Sequence, residues 1–167
     1  MFELYPHQKD AAQRLKPGAI LCGDVGTGKT LTGLYFYKTN FVARRLIVIT
    51  TAKKRDEGDW EKEAGLLGID EITVDSWNNI IKYKEVKDAF FIFDEQRLVG
   101  SGAWVKSFLK IAKVNKWIML TGTPGDVWMD FVPIFIANGF YRNKTDFIEQ
   151  HVEYDRFAKY PKVKKYH

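Results

Sequence analysis

One segment, Gly23-Asp-Val-Gly-Thr-Gly-Lys-Thr30, constrains this chain more than any other. It fits the spacing G-x-x-x-x-G-K-[ST] on Gly23, Gly28, Lys29 and Thr30. Glycines at this density let the backbone turn tightly enough for successive N–H groups to converge on phosphate oxygens. A short apolar stretch, Ala19–Cys22, precedes the segment, and a helix-forming stretch, Lys29–Tyr37, follows it. A helix that starts where such a loop ends adds free N–H groups and the positive end of its dipole. Gly23, Val25, Gly26, Thr27 and Gly28 would form the cradle. Lys29 would reach the β- and γ-phosphates of a nucleotide, and the Thr30 hydroxyl would ligate Mg2+.

Around this loop, apolar runs of strand length alternate with helical stretches. The strand candidates are Ala19–Cys22, Leu46–Thr50, Ile72–Val74, Ala89–Phe93 and Trp117–Leu120. Continuous apolar strands separated by helices predict an α/β fold whose mainly parallel sheet is covered on both faces. Helices are expected over His7–Leu15, Lys29–Tyr37 and Ala103–Lys113. In the last of these, Trp104, Phe108 and Ile111 share one face while Lys106, Lys110 and Lys113 share another. Trp128–Ile136 also reads as helical, with Pro133 expected to bend or divide it. The segment from Lys159 onward carries Lys162, Lys164 and Lys165 and reads as a frayed or cut tail.

Three further segments carry chemistry. Ala89-Phe-Phe-Ile-Phe-Asp-Glu95 is an apolar strand ending in two acids. Asp94 would hold Mg2+ through water and Glu95 would polarise the attacking water. In Leu4-Tyr5-Pro6-His7-Gln8, the Gln8 amide can donate to and accept from an adenine edge at once. In Met119-Leu120-Thr121-Gly122-Thr123-Pro124, a strand runs into the hydroxyls of Thr121 and Thr123, which could sense the acidic pair.

Composition sets the outer bounds. The 167 residues suffice for one domain with its own core, and with 46% apolar and 28% charged residues the chain is not a disordered one. A net charge of +5 favours an anionic partner without naming it. One cysteine, Cys22, leaves no disulfide framework and no cysteine cluster for zinc. No apolar run approaches a membrane span, and the first ten residues, MFELYPHQKD, lack a secretory core. A cytosolic location is the expectation.

The ordered set YPHQ, GDVGTGKT, FDEQ, LTGTP resembles the first RecA-like domain of superfamily two helicases and translocases, matching the Q motif and motifs I, II and III. The LTGTP form of motif III is similar to the Swi/Snf-like branch. The stretch LTGTPGDVWMDFVPIFIANGFYRNKTDFIEQHVEY looks like Swi/Snf-like helicases encoded by tailed bacteriophages, which would set the location in a bacterial host's cytoplasm. The resemblance runs from about Leu4 to Tyr154. It implies a three-layer α/β/α RecA-like P-loop domain over residues 1–155, with a basic tail or the start of a linker over 156–167. The implied cofactors are ATP and Mg2+. The implied partners are a nucleic acid, with DNA favoured over RNA, and a second RecA-like domain that supplies an arginine finger.

The resemblance also implies nucleic-acid contacts where the second and third strands end. Thr51, Lys53 and Arg55 offer a hydroxyl and cations after the second strand, and Ser76 and Trp77 a hydroxyl and an aromatic after the third. The same residues can be read without a ligand, Lys53 to Arg55 as a solvated loop and Trp77 as a core anchor. One departure stands out: where the family reads DEAH or DEAD, Asp94-Glu95 is followed by Gln96-Arg97. Other readings are the motor part of a restriction system, or a nucleotide-binding scaffold that hydrolyses little.

Overall fold

A computed structural model describes residues 3–22, 28–94, 102–121, 132–139, 142–143, 149–150, 152–154 and 163–166. Its centre is a sheet of five parallel strands in the order β1-β5-β4-β2-β3. The strands are β1 (Ile20–Cys22), β2 (Leu46–Thr50), β3 (Thr73–Ser76), β4 (Phe90–Asp94) and β5 (Lys116–Thr121). The register pairs Ile20 with Met119, Phe90 with both Leu46 and Lys116, and Ile47 with Thr73.

Side chains alternate across this sheet, and both faces are apolar. On one face Leu46, Val48, Phe90, Ile92, Ile118 and Leu120 meet Leu34 and Phe36 of α2 (Lys29–Asn40) and Trp60 and Ala64 of α4 (Asp59–Leu66). On the other, Ile47, Ile49, Phe91, Phe93, Trp117 and Met119 meet Phe108 and Ile111 of α5 (Ala103–Val114), with Trp77 and Ile80 from a 3-10 segment, Trp77–Tyr83. These contacts make three layers, as continuous apolar strands require. Phe93, Phe108 and Trp117 meet edge to face, with centroids 4.9 Å apart for Phe93–Phe108 and 5.0 Å for Phe108–Trp117. Such pairs add roughly 0.5–1.5 kcal/mol each beyond area burial. Gly33 lets α2 lie close on β5, where an added Cβ would come within 3.4 Å of Ile118 and Leu120. Helix α1 (Pro6–Arg14) covers the edge of the first layer through Ala12.

The structure departs from the sequence reading in several places. Two helices, α3 (Ala52–Glu57) and α4, follow β2, where Lys53 to Arg55 read from sequence as a solvated loop or a nucleic-acid contact. Thr51 caps α3 by accepting the Lys54 N–H, and Gly58, at φ +74°, ends α3 and restarts the chain as α4. Only glycine adopts that left-handed turn without strain. Of the helix expected over Trp128–Ile136, residues 128–131 lie outside the described residues. The described helix, α6 (Val132–Ala137), carries Pro133 in its first turn. The bend expected at Pro133 concerns its junction with residues 128–131 and so lies outside the described residues. Val152–Tyr154 pairs antiparallel with Val163–Tyr166, forming a ribbon from segments on both sides of residue 155. The second segment lies where a frayed tail is expected from sequence.

Candidate functional site at the carboxyl ends of the strands

Four of the five strands end on a buried polar residue: Thr50, Ser76, Asp94 and Thr121. In open parallel sheets, this carboxyl edge is where ligands bind. Asp94 is 2% exposed, and a carboxylate that deeply buried must be bonded or paired. Its Oδ2 accepts a hydrogen bond from Thr50 Oγ1 at 2.9 Å and an ion pair from Lys54 Nζ at 3.4 Å. Its main-chain oxygen accepts from Trp77 Nε1 at 2.9 Å. By strand alternation with Phe90 and Ile92, the Asp94 side chain faces the layer of α2 and α4.

Helix α2 begins on the same face. Gly28 caps it at φ +76°, and the Gly28 carbonyl accepts from both the N–H and the hydroxyl of Thr32. Lys29 and Thr30 therefore occupy the first turn, whose N–H groups face away from the helix's own carbonyls. Gln8 is seated against this point: a Cβ added at Gly28 would come within 2.0 Å of Gln8 Nε2. Gln8 Oε1 accepts the Tyr5 N–H at 2.9 Å, which fixes the amide and leaves Nε2 as its donor. The side chain is 5% exposed, so its position is set by packing between α1 and the end of the loop.

Of the expected nucleotide-site residues, Gln8, Gly28, Lys29, Thr30 and Asp94 are thus drawn to one face of one edge. Thr121 ends β5, 5% exposed and in register with Cys22 at the end of β1. Gly23, Val25, Gly26, Thr27, Glu95 and Thr123 lie outside the described residues. Asp94 and Thr30 offer hard oxygen donors of the kind Mg2+ accepts while keeping most of its water. At Gly28 there is no room for a side chain, because the Gln8 amide already lies there.

The residues expected to touch nucleic acid separate. Lys53 points outward with its side chain 85% exposed. Thr51 is occupied as the cap of α3. Arg55 turns to Asp75 at 3.3 Å and Asp56 at 3.0 Å, and also donates to Ser76 Oγ. Ser76 is buried. Trp77, at 3% exposure, packs at a tilt against Phe93 and Trp104 and donates to the Asp94 main-chain oxygen. Its indole is therefore a core anchor with no face open to a base, because the 3-10 turn after β3 folds it under the sheet.

Three residues that sequence reasoning passed over join the site. Thr50 and Lys54 hold Asp94. Glu63, on α4, has an Oε2 buried with no hydrogen-bond partner among the described residues. Burial pushes its carboxyl upward, nearby Asp59 and Asp94 add to this, and Lys54 opposes it. The helical spacing from the Thr51 cap is the signal that could have singled out Lys54. Asp75 is a second anchored carboxylate. Burial alone would raise it, but hydrogen bonds from Asn79, Tyr83, the Ser76 N–H and Arg55 hold it at about 2.

No protein-family model matches the chain, and no curated protein sequence matches it. Among solved structures it is similar to the crystal structure of the Pyrococcus furiosus Hef helicase domain, with a TM-score of 0.57 and 16% identity. The match covers 89% of this chain and 40% of that one. The chain thus spans about two fifths of that structure's length. The likeness is one of fold: a RecA-like α/β domain with a parallel sheet. Among the described residues, no helix is long and apolar enough to cross a membrane.

Proposed function

We propose that this chain is the ATP-binding half of a superfamily two helicase or translocase, hydrolysing ATP to move on nucleic acid when joined to a second RecA-like domain. The observation that carries the reading is the seating of Gln8 against Gly28. An amide with one oxygen already engaged and its N–H group turned toward the end of a phosphate-type loop suits an acceptor nitrogen of adenine. The packing of α1 against the start of α2 brings YPHQ and the end of GDVGTGKT to one point, where both can serve one ligand. The helicase-type fold, shared with the Hef helicase domain, supports the same reading.

In this reading Lys29 and the N–H groups of the first turn of α2 bind the β- and γ-phosphates, while Thr30 and Asp94 hold Mg2+. Mg2+ would neutralise charge that develops on the phosphates. Glu95 polarises the attacking water, and Thr121 and Thr123 report the state of the site. Lys53, exposed beside the capped turn at Thr51, is the cation best disposed to meet a nucleic-acid backbone. The missing charge comes from an arginine of the second domain, worth on the order of 10³ to 10⁵ in rate. The LTGTP form of residues 120–124 favours the Swi/Snf-like branch, and the segment that follows it favours a phage source.

Calorimetry of the chain with ATP and GTP tests the reading. ATP should bind and GTP should not, Gln8→Ala should erase the difference, and Lys29→Ala should abolish most affinity with the fold intact. Equal affinity for the two nucleotides, or no loss in Lys29→Ala, would overturn it. Phosphate release by a two-domain form, with and without DNA, separates a motor from a scaffold: a scaffold binds ATP without DNA-stimulated turnover.

A further inference from the structure

Lys53, Lys54 and Arg55 are adjacent in sequence, yet their side chains go to three different places. Lys54 leaves the inner side of α3, and its ammonium lies 3.4 Å from Asp94 Oδ2. That oxygen is the one that accepts from Thr50 Oγ1. The main chain at Lys54 is held too, because its N–H donates to the Thr51 cap at 3.2 Å. The lysine side chain is 34% exposed while the carboxylate beside it is 3% exposed. A long, partly solvated stem can withdraw its charge; a buried carboxylate cannot. Glu63 Oε2, buried with no hydrogen-bond partner among the described residues, adds a second acceptor whose charge is felt by Lys54.

We propose that Lys54 is a positioning residue that acts through Asp94: its ammonium neutralises the carboxylate before a nucleotide-bound divalent cation arrives, and competes with that cation for the site. The proposal rests on the reading of Asp94 as part of an Mg2+–nucleotide site. Two cations drawn to one carboxylate repel each other, so the ammonium opposes the arrival of the metal. The affinity of the metal is then set partly by how firmly residue 54 holds Asp94. Thr50 stays in place throughout, because a neutral hydroxyl donor and a metal can serve the same carboxylate together.

The experiment is a Mg2+ titration of the full chain bound to a fluorescent ADP analogue in metal-free buffer. Lys54→Gln should raise the apparent Mg2+ affinity roughly two- to fivefold, the range expected for release from a partly exposed ion pair. Lys54→Arg, which offers a forked donor to the carboxylate, should lower it. Lys62→Gln, which removes an exposed cation from α4, should leave it unchanged and so excludes a general effect of net charge. A folded Lys54→Gln chain with unchanged or weaker Mg2+ affinity overturns the proposal. If that variant fails to fold, Lys54→Arg decides alone, and an affinity equal to wild type overturns it. A wild-type chain that binds no ADP analogue removes the nucleotide reading and this proposal together. Binding that is indifferent to residue 54 removes only the proposal.

Discussion

Thr50 and Asp94 end neighbouring strands, 44 residues apart in sequence, and are joined by a buried hydrogen bond of 2.9 Å between Thr50 Oγ1 and Asp94 Oδ2. Neither residue has appreciable contact with solvent. Thr50→Val keeps the shape of the side chain and removes the donor, leaving the carboxylate partly unsatisfied. A loss of about 1–3 kcal/mol is expected. For a chain of this size that lowers Tm by several degrees, at roughly 2–4 °C per kcal/mol. Thermal unfolding followed by circular dichroism would show it, and an unaltered Tm would mean that water replaces the hydroxyl.

Gly28 combines a left-handed backbone with a side chain lying across it. Gly28→Ala must strain φ +76° and push Gln8 Nε2 away from a Cβ otherwise 2.0 Å from it. The strain alone is worth about 1–2 kcal/mol. Adding Gln8→Ala relieves the clash and leaves the strain, so the double variant should recover part of the lost stability. Urea unfolding of the four chains measures this coupling; strictly additive losses would show that the two residues do not press on each other.

Asp75 makes stability depend on acid. Its four donors hold the folded-state pKa at about 2, below the ordinary value of 3.8. A depressed carboxylate stabilises the fold above the unfolded pKa, and that contribution fades as the pH falls from about 4 toward 2. Asp75→Asn removes the charge at every pH. The stability gap between wild type and Asp75→Asn should therefore be full at pH 6 and shrink across pH 4 to 2. A gap that stays constant over that window would place the stabilisation in contacts of Asp75 that do not depend on its charge.

Lys53 and Arg55 should respond differently to charge reversal. Lys53→Glu changes an outward side chain and should leave Tm within about 1 °C while lowering the log–log salt slope of nucleic-acid binding by about 0.7–0.9. Arg55→Glu sets a carboxylate beside Asp75 and Asp56 and should lower stability whatever happens to binding. Paired melting curves and salt titrations separate the two. Equal destabilisation by both variants would contradict their different placement.

Local information in the sequence reached a long way. Continuous apolar runs mark the inner strands β2, β4 and β5, because strands buried on both faces hold mainly apolar residues, and all five strands, the half-buried edge strand β3 included, appear within a residue or two of their expected bounds. The amphipathic pattern of 103–114 determines α5 in the same way. The position of Gly28-Lys29-Thr30 at a loop-to-helix junction was also legible, since a glycine ahead of good helix formers marks a start. What only the tertiary structure decided concerns pairs that no local pattern couples. The order β1-β5-β4-β2-β3 sets Asp94 one strand from Thr50, and α3 then delivers Lys54 to it across 40 residues. Three consecutive basic residues look alike in sequence, but on a helix they point in directions roughly 100° apart, so one meets solvent, one the strand-end aspartate and one Asp75. Trp77 reads as a core anchor or a nucleic-acid contact until the turn after β3 folds it beneath Phe93. Gln8 could have lain on an exposed helix face; the packing of α1 against α2 turned it onto Gly28.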